Sequence, residues 1–176
     1  MTPTSARYDL GTIAFHWTMA AIIIALFAIG LSIDAFPKDS KSFWINMHSV
    51  FGLLVLVLWM GRLIWRVTHK APPLPDSMSP LMKRASHAVH GILYLLMLGV
   101  PLIGIPTLLY RGRGLDFGFV QIASPFARTP EIFKPLTEVH EIGAFVLIGL
   151  ALAHALAAIY HQFVLRDGVL SRMSPH

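Results

Sequence analysis

Cysteine is absent from this chain. Without it there is no disulfide, no Cys-ligated iron–sulfur cluster and no C-x-x-C-H attachment of a c-type haem. Charge is nearly as scarce. Only 13% of the 176 residues are Asp, Glu, Lys or Arg, against roughly 25% in soluble domains. So few charges cannot cover a water-facing surface. With 55% hydrophobic residues and a mean hydropathy of +0.64, much of the exterior must face lipid. Carboxylates are missing from the interiors of the long apolar runs, which argues against an ion pathway, where an intramembrane Asp or Glu is usual. Nothing in this composition suggests a nucleic-acid partner; the bilayer itself is the expected surrounding.

A helix needs about 20 apolar residues to cross a bilayer core. Four stretches qualify, near 13–33, 44–64, 88–110 and 139–164, within one domain over 1–176. The first is too long for the roughly 7–15-residue core of a signal peptide, and no A-x-A site follows it. The third contains Pro101 and Pro106, so a kink or break is expected towards its end. The proline-rich "APPLPDSMSP" joins the second span to the third. The expected fold is all-α, an integral membrane four-helix bundle.

Four spans put both termini on one side. That side carries Arg7, Arg62, Arg66, Lys70, Lys83, Arg84, Arg166 and Arg172 against Asp9, Asp76 and Asp167. The other carries Lys38, Lys41, Arg111, Arg113, Arg128 and Lys134 against six acids. Eight cations against six is a modest bias, and the positive-inside rule then places both termini in the cytoplasm.

Histidine, by contrast, is abundant, with nine residues. In "HEIGAFVLIGLALAH", His140 and His154 bracket an apolar run. Fourteen residues make about 3.9 helical turns, so the two rings share a face ~21 Å apart along the axis. His48 enters the membrane at the outer level of His140, and His16 lies in the same cytoplasmic half as His154. Only His69 and His176 fall clearly outside the spans. An unpaired ionisable ring in lipid is costly, so these rings should face the interior and a partner. Two imidazole pairs, His48/His140 outside and His16/His154 inside, suit two stacked b-type haems. Gly52 and Gly143 would let a flat macrocycle approach the backbone. Taken singly, an intramembrane histidine is more often an interhelical hydrogen-bonder, and a glycine or alanine a packing contact. It is four histidines matched in depth and face that favour the cofactor.

The chain resembles the bacterial cytochrome b561 family over essentially its whole length. The resemblance is carried by "FHW", "INMHSVFG", "RLIWR", "HAVHGILYLL" and "YRGRG", and by the H-x13-H-x6-H pattern running into "LRDGVLSRMSP". It implies that His16, His48, His140 and His154 are axial ligands of two non-covalent, bis-His haem b groups in the bacterial inner membrane. It also implies electron transfer to ubiquinone at the cytoplasmic side. Some family members draw electrons from superoxide, while others serve as cytochrome subunits fed by a periplasmic redox protein. Either donor is compatible with these motifs, and a histidine-based proton or metal-ion carrier is a third reading. His90 matches the family's histidine in the third span, and His87 is an extra. Near the quinone, His90 and His161, with His87 beside them, could line the site and deliver protons. Arg62 could pair with an inner propionate, although snorkelling explains such a residue equally. Arg111, Arg113, Arg128 and Lys134 could steer an anionic donor.

Overall fold

The structure, a computed structural model, describes residues 7–75 and 77–174, so Asp76 and His176 lie outside the described residues. Four helices dominate: α1 (Leu10–Ser32), α2 (Lys41–Thr68), α3 (Pro80–Tyr110) and α4 (Pro130–Tyr160). All four are long and apolar enough to cross a membrane. Each extends past its apolar run, because polar and aromatic residues continue the helix into the interface. The termini and the 69–79 connection lie at one end of the bundle, called here the terminal end. The 33–40 connection and the 111–129 segment lie at the other, the hairpin end.

Caps set the helix starts. Asp9 accepts from the Thr12 N–H at 2.9 Å and from the Thr12 hydroxyl at 2.6 Å, satisfying an otherwise free donor of α1. The Trp65 indole N–H of α2 donates to the same carboxylate at 2.7 Å, so the α1 cap also clamps α2. Ser79 caps α3 before Pro80, a proline at the first helical turn where no N–H is needed.

Of the kink or break expected at Pro101 and Pro106, the break is not present: α3 is one helix to Tyr110. Those prolines remove the donors to the Met97 and Leu102 carbonyls. A membrane helix tolerates that loss because neighbouring groups satisfy exposed backbone. Elsewhere on α3 side-chain donors also bond carbonyls, Trp59 Nε1 that of Tyr94 at 2.9 Å and the Thr107 hydroxyl that of Ile103 at 2.8 Å, although neither is a carbonyl that the prolines free.

Helix α3 packs closely along α4, and α1 along α2, with α2 also touching α3. By contrast α1 and α4 barely approach each other. Small residues set the close contact: a Cβ on Gly143 of α4 would meet Val100 of α3 at 3.0 Å. Halfway down, Met19, Val55, Met97 and Leu147 form a buried apolar layer, one residue from each helix. The outward faces are Leu, Ile, Val and Phe left exposed, as lipid contact requires.

At the hairpin end, β1 (Leu115–Asp116) and β2 (Gln121–Ile122) pair antiparallel. Asn46 anchors this ribbon, donating to the Asp116 carbonyl at 2.8 Å and accepting from its N–H at 2.9 Å. At the terminal end the chain leaves α4 through a π-helical turn (His161–Leu165) and a left-handed Arg166, φ +55°. It closes with a short 3-10 turn (Leu170–Met173). That tail ties the end together: Trp17 Nε1 donates to the Met173 carbonyl and Arg172 to the Pro73 carbonyl.

Candidate functional site

Histidines bridge the gap between α4 and the α1/α2 pair at two depths. His48 of α2 and His140 of α4 face each other with ring centroids 5.9 Å apart and planes at 73°. His16 of α1 and His154 of α4 face at 6.3 Å and 67°. Two imidazoles binding one metal through ring nitrogens at ~2 Å place their centroids roughly 6.3 Å apart. Both pairs meet that spacing, and the helices that carry them leave room between their backbones. The Met19/Val55/Met97/Leu147 layer separates the two levels. Leu147 stands seven residues from His140 and seven from His154, about 10 Å from each.

An apolar cavity adjoins the His48/His140 pair, lined by Leu26, Phe27, Gly52, Val55, Ala144 and Leu147 among others. Gly52 faces open space, with no atom within 4 Å of where its Cβ would be. Gly143 has a packing reason of its own in Val100. Two glycines that sequence reasoning passed over touch the rings instead. A Cβ on Gly104 would meet His140 at 3.2 Å, and one on Gly30 would meet His48 at 3.5 Å. His140 Nδ1 donates to the Val100 carbonyl at 2.9 Å, which directs its other nitrogen towards His48. His48 Nδ1 is buried with no hydrogen bond.

A guanidinium borders each level. Arg62 lies with Nη2 3.4 Å from His16 Nδ1 and its charge 5.2 Å over the Tyr94 ring. Arg111 donates to the Thr137 hydroxyl at 3.0 Å and stacks on Phe133 at 5.2 Å. Partial burial pulls the Arg111 pKa below the ordinary arginine range. Both arginines keep a buried Nε with no partner, a donor waiting for an acceptor such as a carboxylate.

The other histidines separate. His90 of α3 sits 5.1 Å from His154, too close for a shared metal, and α3 packs too tightly on α4 for a macrocycle between them. Its Nδ1 donates to the Ser86 carbonyl at 2.7 Å, and the ring is otherwise exposed. His161 lies in the π-helical turn, where Nδ1 donates to Asp167 at 2.5 Å; both side chains are largely buried. The tail's reversal at Arg166 brings Asp167 back, and no spacing rule for a straight helix shows that pair. His87 is exposed and carries no hydrogen bond among the described residues. Also among those residues, no three His, Asp or Glu side chains converge to hold a bare metal ion.

Opposed imidazoles at two depths in a four-helix membrane bundle are the arrangement of a membrane cytochrome, and the family profile agrees. The prokaryotic cytochrome b561 profile matches residues 7–176. The chain belongs to that family. It is similar to "Probable superoxide oxidase CybB" of Yersinia pestis, 31% identical over 96% of each chain. It is equally similar to "Cytochrome b561 homolog 1" of Escherichia coli K12, 31% identical over 96% of this chain and 97% of that one. "Cytochrome b562" of Cereibacter sphaeroides is 30% identical over 92% and 90%. This cytochrome b561 is therefore a bacterial membrane cytochrome b whose cofactor is haem b and whose activity is electron transfer. Electron transfer, and not ion carriage, is the family's activity.

Proposed function

We propose that this cytochrome carries electrons across the inner membrane from superoxide at its hairpin end to ubiquinone at its terminal end. Two haem b groups would be held there, one by His48 and His140, the other by His16 and His154. The observation that carries the proposal is the two opposed imidazole pairs, spaced for a shared metal and stacked at two depths. Haem, when bound, would supply a one-electron couple at each level, and the paired histidines would hold it so that it relays electrons and does not bind oxygen. The unpartnered Nε donors of Arg62 and Arg111 suit propionate carboxylates at the two levels. Gly52 leaves space beside the His48/His140 pair. The excess of Lys and Arg at the terminal end supports an orientation with both termini in the cytoplasm and the hairpin in the periplasm.

In the reaction, two superoxide anions each give up one electron and leave as dioxygen. One ubiquinone takes both electrons and two protons and leaves as ubiquinol. The donor is suggested by the relative named for superoxide oxidation. The structure is compatible with a small anionic donor in two respects. Asn46, which anchors the hairpin, is ~200° round α2 from His48, so the ribbon docks on the face turned away from that ring. Arg111, Arg113 and Arg128 surround the same end, while Lys41 is neutralised by Asp34 at 2.6 Å. That contact holds the Asp34 carboxyl below its usual pKa.

For the quinone, His90 and His161 are the proton donors, and His87 is a weaker third. His90 presents an exposed ring whose Nδ1 is already committed to Ser86. His161 is oriented by Asp167, which fixes which nitrogen it can offer. A protein donor is the second reading, favoured by the exposed apolar Phe119, Ile122 and Phe126 beside the same end.

The deciding assay generates superoxide enzymatically and follows haem reduction, then reduction of added ubiquinone. Both should outrun the uncatalysed reactions. Haem reduction no faster than the background would overturn the superoxide reading and favour the protein donor.

A further inference from the structure

The two histidine pairs differ in what their Nδ1 atoms face. In a helix the carbonyl of residue i points at the N–H of residue i+4, and a side chain at i+4 screens it from lateral approach. Val100 and Gly104 of α3 stand in that relation. Glycine leaves the carbonyl open, and the His140 ring lies where a Cβ would be, 3.2 Å from its Cε1 and 3.3 Å from its Nδ1. From there His140 Nδ1 donates to Val100 at 2.9 Å. Across from it the His48 ring lies over Gly30 of α1 at 3.5 Å, but its Nδ1 makes no hydrogen bond there.

The terminal end is built the other way. His16 Nδ1 meets a cation, Arg62, at 3.4 Å, and no glycine lies under that ring. Among the described residues no carboxylate pairs with Arg62. At the hairpin end Arg111 is turned instead to the Thr137 hydroxyl and the Phe133 ring, and the hydrogen-bond partner of His140 Nδ1 is the Val100 carbonyl.

A carbonyl accepting Nδ1–H makes the ligating nitrogen more basic and favours an oxidised metal. A guanidinium beside the ring favours the reduced one. We propose that these contacts grade the two sites. The Val100/Gly104 seat under His140 holds the hairpin-end haem at the lower reduction potential, and Arg62 holds the terminal-end haem at the higher. One electron then passes from the hairpin-end site, which is oxidised, to the terminal-end site, which is reduced, with no bond made and no proton moved. Gly104 and Arg62 are positioning residues for direction, and the inference rests on the ligand pairs proposed above.

Potentiometric titration of the purified full chain, followed in the visible bands, tests it. His140→Ala and His16→Ala each remove one haem and so assign the two waves. The wave lost with His140→Ala should be the lower. Arg62→Gln should lower the other wave, cutting the electron-partition constant about tenfold, which is about 59 mV for one electron. Arg62→Lys should restore most of it. Gly104→Ala forces His140 off the Val100 carbonyl and should raise the lower wave, the partition constant falling severalfold. Gly30→Ala, with only ordinary contact to its ring, should shift that wave less. A lower wave that belongs to the terminal end overturns the grading. So do waves that stay put in both Arg62→Gln and Gly104→Ala with both haems retained. Should Gly104→Ala lose its haem, the Arg62→Gln and Arg62→Lys pair decides. If His140→Ala and His16→Ala do not each remove one haem, it is the ligand assignment that fails.

Discussion

Replacing the paired histidines one at a time, with His90 as the comparison, separates ligands from neighbours. The His48/His140 and His16/His154 centroids stand 5.9 and 6.3 Å apart, near the ~6.3 Å that a shared metal requires. His90 is 5.1 Å from His154, about 1 Å short of that spacing. The two levels lie about 21 Å apart along α4. The buried Met19, Val55, Met97 and Leu147 stand between them, so each level should load independently. Haem content should therefore fall from two per chain to one in His16→Ala, His48→Ala, His140→Ala and His154→Ala. It should stay at two in His90→Ala. Two species of half-loaded protein are expected. His16→Ala and His154→Ala should share one visible spectrum and midpoint potential, and the other two variants should share a second. The assay is a pyridine haemochrome measurement on purified protein of known concentration, read beside the reduced spectrum. Loss of haem in His90→Ala, with two haems kept in His16→Ala, would refute the pairing. A single substitution that empties both levels would refute their independence.

Leu147→Ala opens the middle layer where Leu147 is 6% exposed and should cost about 2–5 kcal/mol, seen as a lower thermal midpoint in detergent with haem content retained. The hydrogen bond from the Thr12 hydroxyl, with those from the Thr12 amide and the Trp65 indole, holds the Asp9 pKa at about 2, below its ordinary 3.8. A depressed folded pKa stabilises above the unfolded value, so this contribution is complete above about pH 4 and vanishes as pH falls through about 2. Because solvent reaches Asp9, Asp9→Asn should cost about 1 kcal/mol at neutral pH and flatten the loss of thermal stability between pH 4 and 2. Asp167→Asn should slow quinone reduction by about tenfold or more while leaving haem reduction by the donor unchanged, in stopped-flow traces that resolve the two steps. Equal slowing of both steps would deny Asp167 a role confined to the quinone end. The rate of haem reduction by superoxide should fall as ionic strength rises, and less so in Arg111→Gln/Arg113→Gln, if the hairpin-end arginines steer the anion.

Much of this architecture is legible in the sequence because lipid imposes simple rules. Backbone groups must be satisfied within each span, so four apolar runs become four helices. Helical periodicity then puts His140 and His154 on one face at two depths, and the matching depths of His48 and His16 propose their partners. Charge bias along the loops suggests orientation, and the ordered motifs suggest the family. The unbroken α3 was not legible, because whether a membrane helix runs on past Pro101 and Pro106 depends on its packing against neighbours in space. The His161–Asp167 pair was hidden for a related reason. It depends on a π-helical turn and a left-handed Arg166, neither of which has a periodic signature.

By itself, then, the sequence determined the solvent, the number of spans and the levels at which the histidines lie, since these follow from apolar length and a fixed helical rise. Tertiary structure alone decided what each ring faces. Whether Nδ1 meets the Val100 carbonyl across Gly104 or the Arg62 guanidinium depends on how α3 lies against α4 and α2 against α1. Those contacts join residues 40 and 46 positions apart. Side-chain packing sets them, and no local pattern encodes it.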